Sequence, residues 1–247
     1  MLGFRQFLAK EQIRKLLPSA PYCPEGWGLT DNALYGIALV FLEEYRNRPV
    51  FLNLLTSNTH PRFFFTLPEE AYPQSIRETQ SALRRSLFEA DRDLMLFFHM
   101  LGKMRLFTDD TLVILTADHS PNFGMEFLEV TGHPDFFPAR IPCLFITPDK
   151  GKNPFRVLDA DTLCDQLDLM PTLADALGLR KPDAVMGQSL FAGGKNAAIR
   201  QYGYDLRINT PAEEFHFGLT GKPSSMEEAS IRKWYYNNML SPYERRR

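Results

Sequence analysis

Residues 111–116, TLVILT, form an unbroken apolar, largely β-branched run that leads straight into Ala117, Asp118 and His119. The run does not alternate between apolar and polar residues, so as a strand it needs cover on both faces, and it belongs inside a layered sheet. Residues 50–55 (VFLNLL) and 143–147 (CLFIT) are further strand candidates, each preceded by proline or polar punctuation. Helical patterns lie between them. Residues 31–45 follow a cap-competent Thr30 or Asp31. Residues 75–106 carry Ile76, Leu83, Leu87, Leu94, Phe98 and Leu101 on roughly one face, and Gly102 ends or bends that helix. Residues 160–177 contain Pro171, which suits a first helical turn, so a restart near Met170 is expected. This alternation predicts an α/β fold with a mostly parallel central sheet flanked by helices. Functional groups in such a fold belong at the carboxyl ends of the strands. Toward the end of the chain, residues 197–204 and 205–209 suggest a strand pair and 225–236 a surface helix, before a solvated ERRR terminus.

Composition narrows the function classes. A hydrophobic fraction of 44% and a charged fraction of 23% over 247 residues are ordinary for a globular protein and argue against disorder. A formal net charge of −2 lacks the basic excess of a nucleic-acid protein, so no nucleic-acid partner is expected. Three widely spaced cysteines, Cys23, Cys143 and Cys164, exclude a disulfide scaffold and a zinc ribbon. No segment approaches the roughly 18 to 20 apolar residues of a membrane span. The first nineteen residues, MLGFRQFLAKEQIRKLLPS, have no uninterrupted apolar core and do not read as a secretory signal. The sequence assigns no compartment.

Two segments carry chemistry. Asp118 and His119 stand where the 111–116 strand is expected to end, the one place where adjacent side chains can aim at a single cavity. A carboxylate oxygen beside an imidazole nitrogen suits zinc or manganese. The same dipeptide is also explained by Asp118 capping a turn while His119 lies on the surface, and both readings stand at this point. His60 follows the 50–55 run inside a polar loop of Thr56, Ser57, Asn58 and Thr59, where an imidazole could bind an anionic oxygen or protonate a leaving group. Arg62 offers a fork for phosphate or sulfate. A proline-terminated loop with a locally bonded histidine explains the same residues.

In this order the segments resemble the C-terminal half of the alkaline phosphatase/sulfatase superfamily, in particular the lipoteichoic acid synthase-like phosphoglycerol transferases. FLNLLTSNTHPRFFFTLPEE resembles that group's strand ending in a (T/S)-N-H-x-P-F-type loop. SLFEADRDLMLFFHML followed by DDTLVILTADHS resembles its helix and strand closing on a DH metal pair. RIPCLFITPD resembles a later strand, and QLDLMPTLADALGL with GQSLF resembles a later helix and turn. GFRQFL and GWGLTDNAL look like the linker into this half. The resemblance implies one sulfatase-like domain over 1–247, with 1–48 as linker and first helix and 193–247 as a peripheral C-terminal segment.

It further implies that Asp118 and His119 are metal ligands, His119 also touching substrate. His60 would hold the transferred phosphate or protonate the leaving group, and Arg62 would help bind a phosphate- or sulfate-ester substrate. The metal would be divalent, manganese or zinc, with calcium and magnesium as alternatives. His133 and Arg140 are weaker candidates near the site, whereas Asp161, Asp165, Asp168 and Pro171 have no catalytic duty. His99 reads as structural, and His216 has no assigned place. The resemblance also calls for a nucleophile, a threonine or a modified Cys or Ser, together with an acidic ligand from a first strand. No segment before Pro49 offers these, and no cysteine lies in a C-x-P-x-R setting. The domain is therefore expected to be incomplete at its N-terminal side, without autonomous activity. It would work with an N-terminal half-domain partner, as a homo-oligomer, or as an inactive half that binds a partner chain. Members of the family are usually extracytoplasmic and membrane-anchored.

Overall fold

A short helix, α1 (Lys10–Leu16), buries none of its side chains, so the first element with a core is α2 (Asp31–Glu44). The computed structural model describes residues 8–23, 28–60, 62–79, 81–119, 141–148, 153–181, 185, 187–193, 197–202, 205–210, 214–218, 223 and 225–235. His133 and Arg140 lie outside them. The chain divides into two units, Met1–Lys152 and Asn153–Arg247.

In the first unit Thr30 caps α2 by accepting a hydrogen bond from Ala33 N at 3.4 Å, satisfying an amide that the helix itself cannot. The expected long helix over 75–106 is divided. A single turn, α3 (Gln74–Arg77), precedes α4 (Ala82–Lys103), because Ser81 caps the new start by accepting from Arg84 N at 3.3 Å. Helices α2 and α4 pack through Tyr35, Ala38, Phe97 and Leu101, and the Tyr35 and Phe97 rings stack 4.8 Å apart. The end of α4 is a Schellman turn: Arg105 N donates to Gly102 O and Leu106 N to Leu101 O, with Arg105 at φ 55°. Gly102 is thus the last full turn of the helix and not its left-handed cap.

The strand over 111–116 forms as β1 (Val113–Thr116) and pairs with β2 (Cys143–Ile146) in register Val113↔Ile146 to Thr116↔Cys143. That ladder is antiparallel, whereas a mostly parallel sheet was expected. An apolar run says nothing of direction, which the connection and the neighbouring strands decide. Here Val113–Leu115 are half-buried and Thr116 is exposed, not covered on both faces as expected. The 50–55 run is not assigned as a strand at all. It is extended nonetheless: Leu52 and Leu54 pack on the α2–α4 core, while Phe51 and Leu55 point outward, 67% and 76% exposed. Sheet pairing needs a backbone partner as well as a pattern, and residues 52–55 make no hydrogen bond among the described residues.

In the second unit the expected helix over 160–177 forms only from α5 (Leu169–Ala176), after a 3-10 turn at Gln166–Asp168. Asp165 stops it reaching further back by capping, accepting from Leu167 N at 3.0 Å, and Pro171 falls in the first turn of α5. Asp168 is buried and accepts from Asp165 N and Gln188 N, both at 2.9 Å. Buried Thr172 donates to Asp168 O at 2.6 Å and accepts from Leu190 N at 3.0 Å. The Asp168 carboxylate and the Thr172 hydroxyl therefore hold the Gly187–Leu190 turn in place. Strands β3 (Ala198–Tyr202) and β4 (Asp205–Asn209) form the anticipated pair. An unanticipated β5 (Glu214–Gly218) completes an antiparallel three-stranded sheet, the smallest size at which one apolar face can be stable. Leu206 on the central strand is fully buried, and His216 stands exposed opposite Arg207. Helix α6 (Met226–Tyr235) follows, capped by Ser225, which accepts from Glu228 N at 3.0 Å. Among the described residues no helix is long and apolar enough to cross a membrane.

Candidate functional site

The polar loop after the 50–55 run is bolted to both helices. The Asp31 carboxylate, first residue of α2, accepts from Ser57 N at 2.8 Å and Asn58 N at 3.1 Å. Asp31 N in return donates to Asn58 Oδ1 at 3.1 Å. Ser57 Oγ donates to Leu29 O at 2.9 Å, and Cys23 Sγ lies against this pair, 3.5 Å from Ser57 Oγ and 3.6 Å from Asn58 Oδ1. From α4, Ser86 Oγ donates to Asn58 O at 2.7 Å, and Phe64 N donates to the same oxygen at 2.9 Å. Asn58 and Asp31 are each 1% exposed. His60 is exposed at the tip of the turn they secure, its amide donating to Ser57 O at 3.1 Å. The chain then passes through two left-handed residues, Arg62 at φ 85° and Phe63 at φ 34°. Arg62 is exposed beside His60 in sequence.

At the end of β1, Asp118 and His119 converge. Asp118 Oδ2 lies 3.5 Å from His119 Nε2, and Asp118 Oδ1 accepts from His119 N at 2.9 Å. One carboxylate oxygen thus accepts from the next amide and the other faces the imidazole. Both side chains are open to solvent, 66% and 61% exposed. The structure brings these two residues together and places His60 and Arg62 on a second turn. The donor types suit a divalent cation, but among the described residues no group of three or more His, Cys, Asp or Glu side chains is gathered to hold one. Two donors alone do not make a closed metal site.

Sequence reasoning passed over the buried acids. Helix α4 was expected to bury Leu87, yet Leu87 is exposed and the buried face carries Leu83, Ser86, Glu89, Asp93, Phe97 and Leu101. Glu89 accepts from Thr66 N, Thr66 Oγ1, Leu67 N and, through a short bond, the Tyr72 hydroxyl. Burial, helped by the Glu89 carboxylate, pushes the Tyr72 hydroxyl well above its ordinary range. Asp93 accepts from Asn32 Nδ2 at 3.4 Å and pairs with Arg92 at 3.2 Å. Desolvation raises the carboxyls of both Asp31 and Asp93 and the Cys23 thiol, and it pushes the Tyr35 hydroxyl up to about 12. The available signal was Ser86, Glu89 and Asp93 falling at helical spacing with Phe97 and Leu101, on a face that hydrophobicity alone would turn outward.

The sulfatase family model matches residues 1–179, well over half of the chain. The chain belongs to the sulfatase family. Its fold is similar to that of a protein in the alkaline phosphatase superfamily from Vibrio parahaemolyticus, at 22% identity and a TM-score of 0.64, covering 98% of this chain and 59% of that one. The lipoteichoic acid synthase LtaP from Listeria monocytogenes is also similar, at 18% identity and a TM-score of 0.59, covering 88% of this chain and 59% of that one. Over 82 residues, 33% of this chain and 15% of the other, it is 38% identical to the 2,3-bisphosphoglycerate-independent phosphoglycerate mutase of Hydrogenovibrio crunogenus. This sulfatase-family chain therefore has an alkaline phosphatase-like α/β fold and spans a little over half the length of its structural relatives.

Proposed function

We propose that this sulfatase-family chain carries part of a site acting on phosphate esters, in a metal-dependent phosphoryl or phosphoglycerol transfer. The observation that carries the reading is the convergence of Asp118 and His119 at 3.5 Å where β1 ends. Phosphoglycerate, named in one relative, is itself a phosphate ester, and a lipoteichoic acid synthase shares the fold. Asp118 and His119 supply one oxygen and one nitrogen toward a divalent cation, manganese or zinc by donor type, and that cation would neutralise ester oxygens. Arg62 presents a guanidinium fork to the anion, and the His60 imidazole binds an ester oxygen or passes a proton to the departing one. The test is calorimetric titration of the chain with manganese and zinc. Weak binding is expected, lost in Asp118→Ala and weakened roughly tenfold or more in His119→Ala. Equal binding by wild type and both variants removes the pair from any metal site.

A second reading, association in place of autonomous catalysis, is favoured by the 52–55 backbone, which makes no hydrogen bond among the described residues, and by outward-facing Phe51 and Leu55. Extended apolar edges template further pairing, and a second copy of this chain is the occupant this reading names. Sedimentation velocity is expected to show self-association that Leu55→Lys abolishes. A stable wild-type monomer overturns it.

A further inference from the structure

We propose that Asp31 is the positioning residue of the His60 turn, holding the imidazole and the Arg62 guanidinium in a conformation that the turn's own sequence disfavours. The inference rests on the reading of that turn as the anion-handling part of the site, and it starts from backbone strain. Arg62 and Phe63 are consecutive non-glycine residues with positive φ, 85° and 34°. Each such residue is costly, and the strain persists only where the surroundings over-determine it. Those surroundings are identifiable here. In the turn between Ser57 and Phe64, two successive amides donate to the Asp31 carboxylate, while Asn58 O accepts from Ser86 Oγ and from the turn's own Phe64 amide.

Asp31 is unusual within that set. Helix α2 already has its cap in Thr30, so the carboxylate is not needed to start the helix. It is 1% exposed, and its carboxylate accepts from the two amides with a like-charged neighbour, Asp93, nearby. Burial raises its pKa, so keeping an acid here runs against desolvation. A single carboxylate oxygen, Oδ1, accepts from both Ser57 N and Asn58 N, and the length of the aspartate side chain carries it to both amides ahead of His60. The Asn58 side chain closes the grip by accepting from Asp31 N at 3.1 Å. Strain on one side of His60 and an over-built anchor on the other are what a held functional side chain requires.

The experiment follows the His60 ring resonance of the full chain by NMR, assigned by its loss in His60→Gln, together with titration by inorganic phosphate. Asp31→Ser keeps a helix-starting hydroxyl, but its oxygen is one bond closer to the backbone and falls short of the two amides. It is expected to move the His60 resonance and weaken phosphate binding on the order of tenfold. Asp31→Asn retains an oxygen acceptor and is expected to restore both. Ala38→Gly, in the α2–α4 core, is expected to lower the melting temperature without moving either readout. A resonance and affinity unchanged in Asp31→Ser overturn the proposal, as does an equal shift in Ala38→Gly. Should wild type fail to bind phosphate, the anion-handling reading falls, and the resonance still decides whether Asp31 positions His60.

Discussion

Glu89→Leu is expected to destabilise the chain by about 3 to 5 kcal/mol, because several donors lose their common acceptor, at roughly 1 to 3 kcal/mol for each buried group left unsatisfied. The carboxylate is 1% exposed and gathers the Thr66 and Leu67 amides, the Thr66 hydroxyl and the Tyr72 hydroxyl. Leucine matches its volume approximately but accepts nothing. Tyr72 is 2% exposed and would keep a buried hydroxyl without its acceptor. The segment between Thr66 and Tyr72 has few other ties to α4. One is Arg85, paired with Glu69 at 2.7 Å and lying over the Tyr72 ring at 5.4 Å. That ion pair is partly solvated and worth little by itself. Glu89→Gln keeps one oxygen, and its amide can donate to the Thr66 hydroxyl, so a cost nearer about 1 to 2 kcal/mol is expected. Urea denaturation measures both values, and limited proteolysis should open the 66–72 segment of Glu89→Leu first. A loss below about 1 kcal/mol for the leucine variant would mean that water replaces the carboxylate without penalty, contrary to the cost of an unsatisfied buried group.

In the second unit, Gly187→Ala is expected to cost roughly 2 to 5 kcal/mol, the sum of a left-handed backbone and an overpacked contact. Gly187 has φ 88°, and a β-carbon there would sit 2.2 Å from Leu167 O and 2.4 Å from Leu167 C. Neither atom can easily retreat. Asp168 N donates to Asp165 O at 3.0 Å, and the Asp168 carboxylate holds the next residue, Gln188, at 2.9 Å. Gly178 is the control. It too has positive φ, 63°, as the left-handed cap of α5, but a β-carbon there would meet nothing within 4 Å. Gly178→Ala should therefore cost only about 1 kcal/mol, the backbone share alone. Thermal melts of the two variants separate the contributions, and equal losses at both positions would eliminate the steric argument.

These two sites differ in how visible they were beforehand. Gly187 belongs to GQSLF, a motif recognisable in the sequence, and its glycine is explained by a close approach of backbone to backbone that no other residue allows. Glu89 was hidden. An acidic residue on an amphipathic helix is ordinarily a solvent-facing one, and only the amides of Thr66 and Leu67, brought alongside α4 by the fold, make burial favourable. Asp31 lies between these cases: the sequence marked it as a helix start, while its grip on Ser57 and Asn58 depends on a segment 26 residues further along the chain.

The amino-acid order by itself determined the family, the α/β class, a helix start at Thr30 or Asp31, the placement of Asp118 and His119 at the end of an apolar strand, and the restart of a later helix near Met170. All of these are local: propensities, capping chemistry and motif spacing act over a few residues. Tertiary structure alone decided the antiparallel direction of β1 and β2, the unladdered state of residues 52–55, the existence of β5, and the burial of Glu89, Asp93 and Asp31. Each of those depends on which distant backbone group arrives to accept or donate. A hydrogen bond between residues tens of positions apart leaves no periodicity in the chain that makes it.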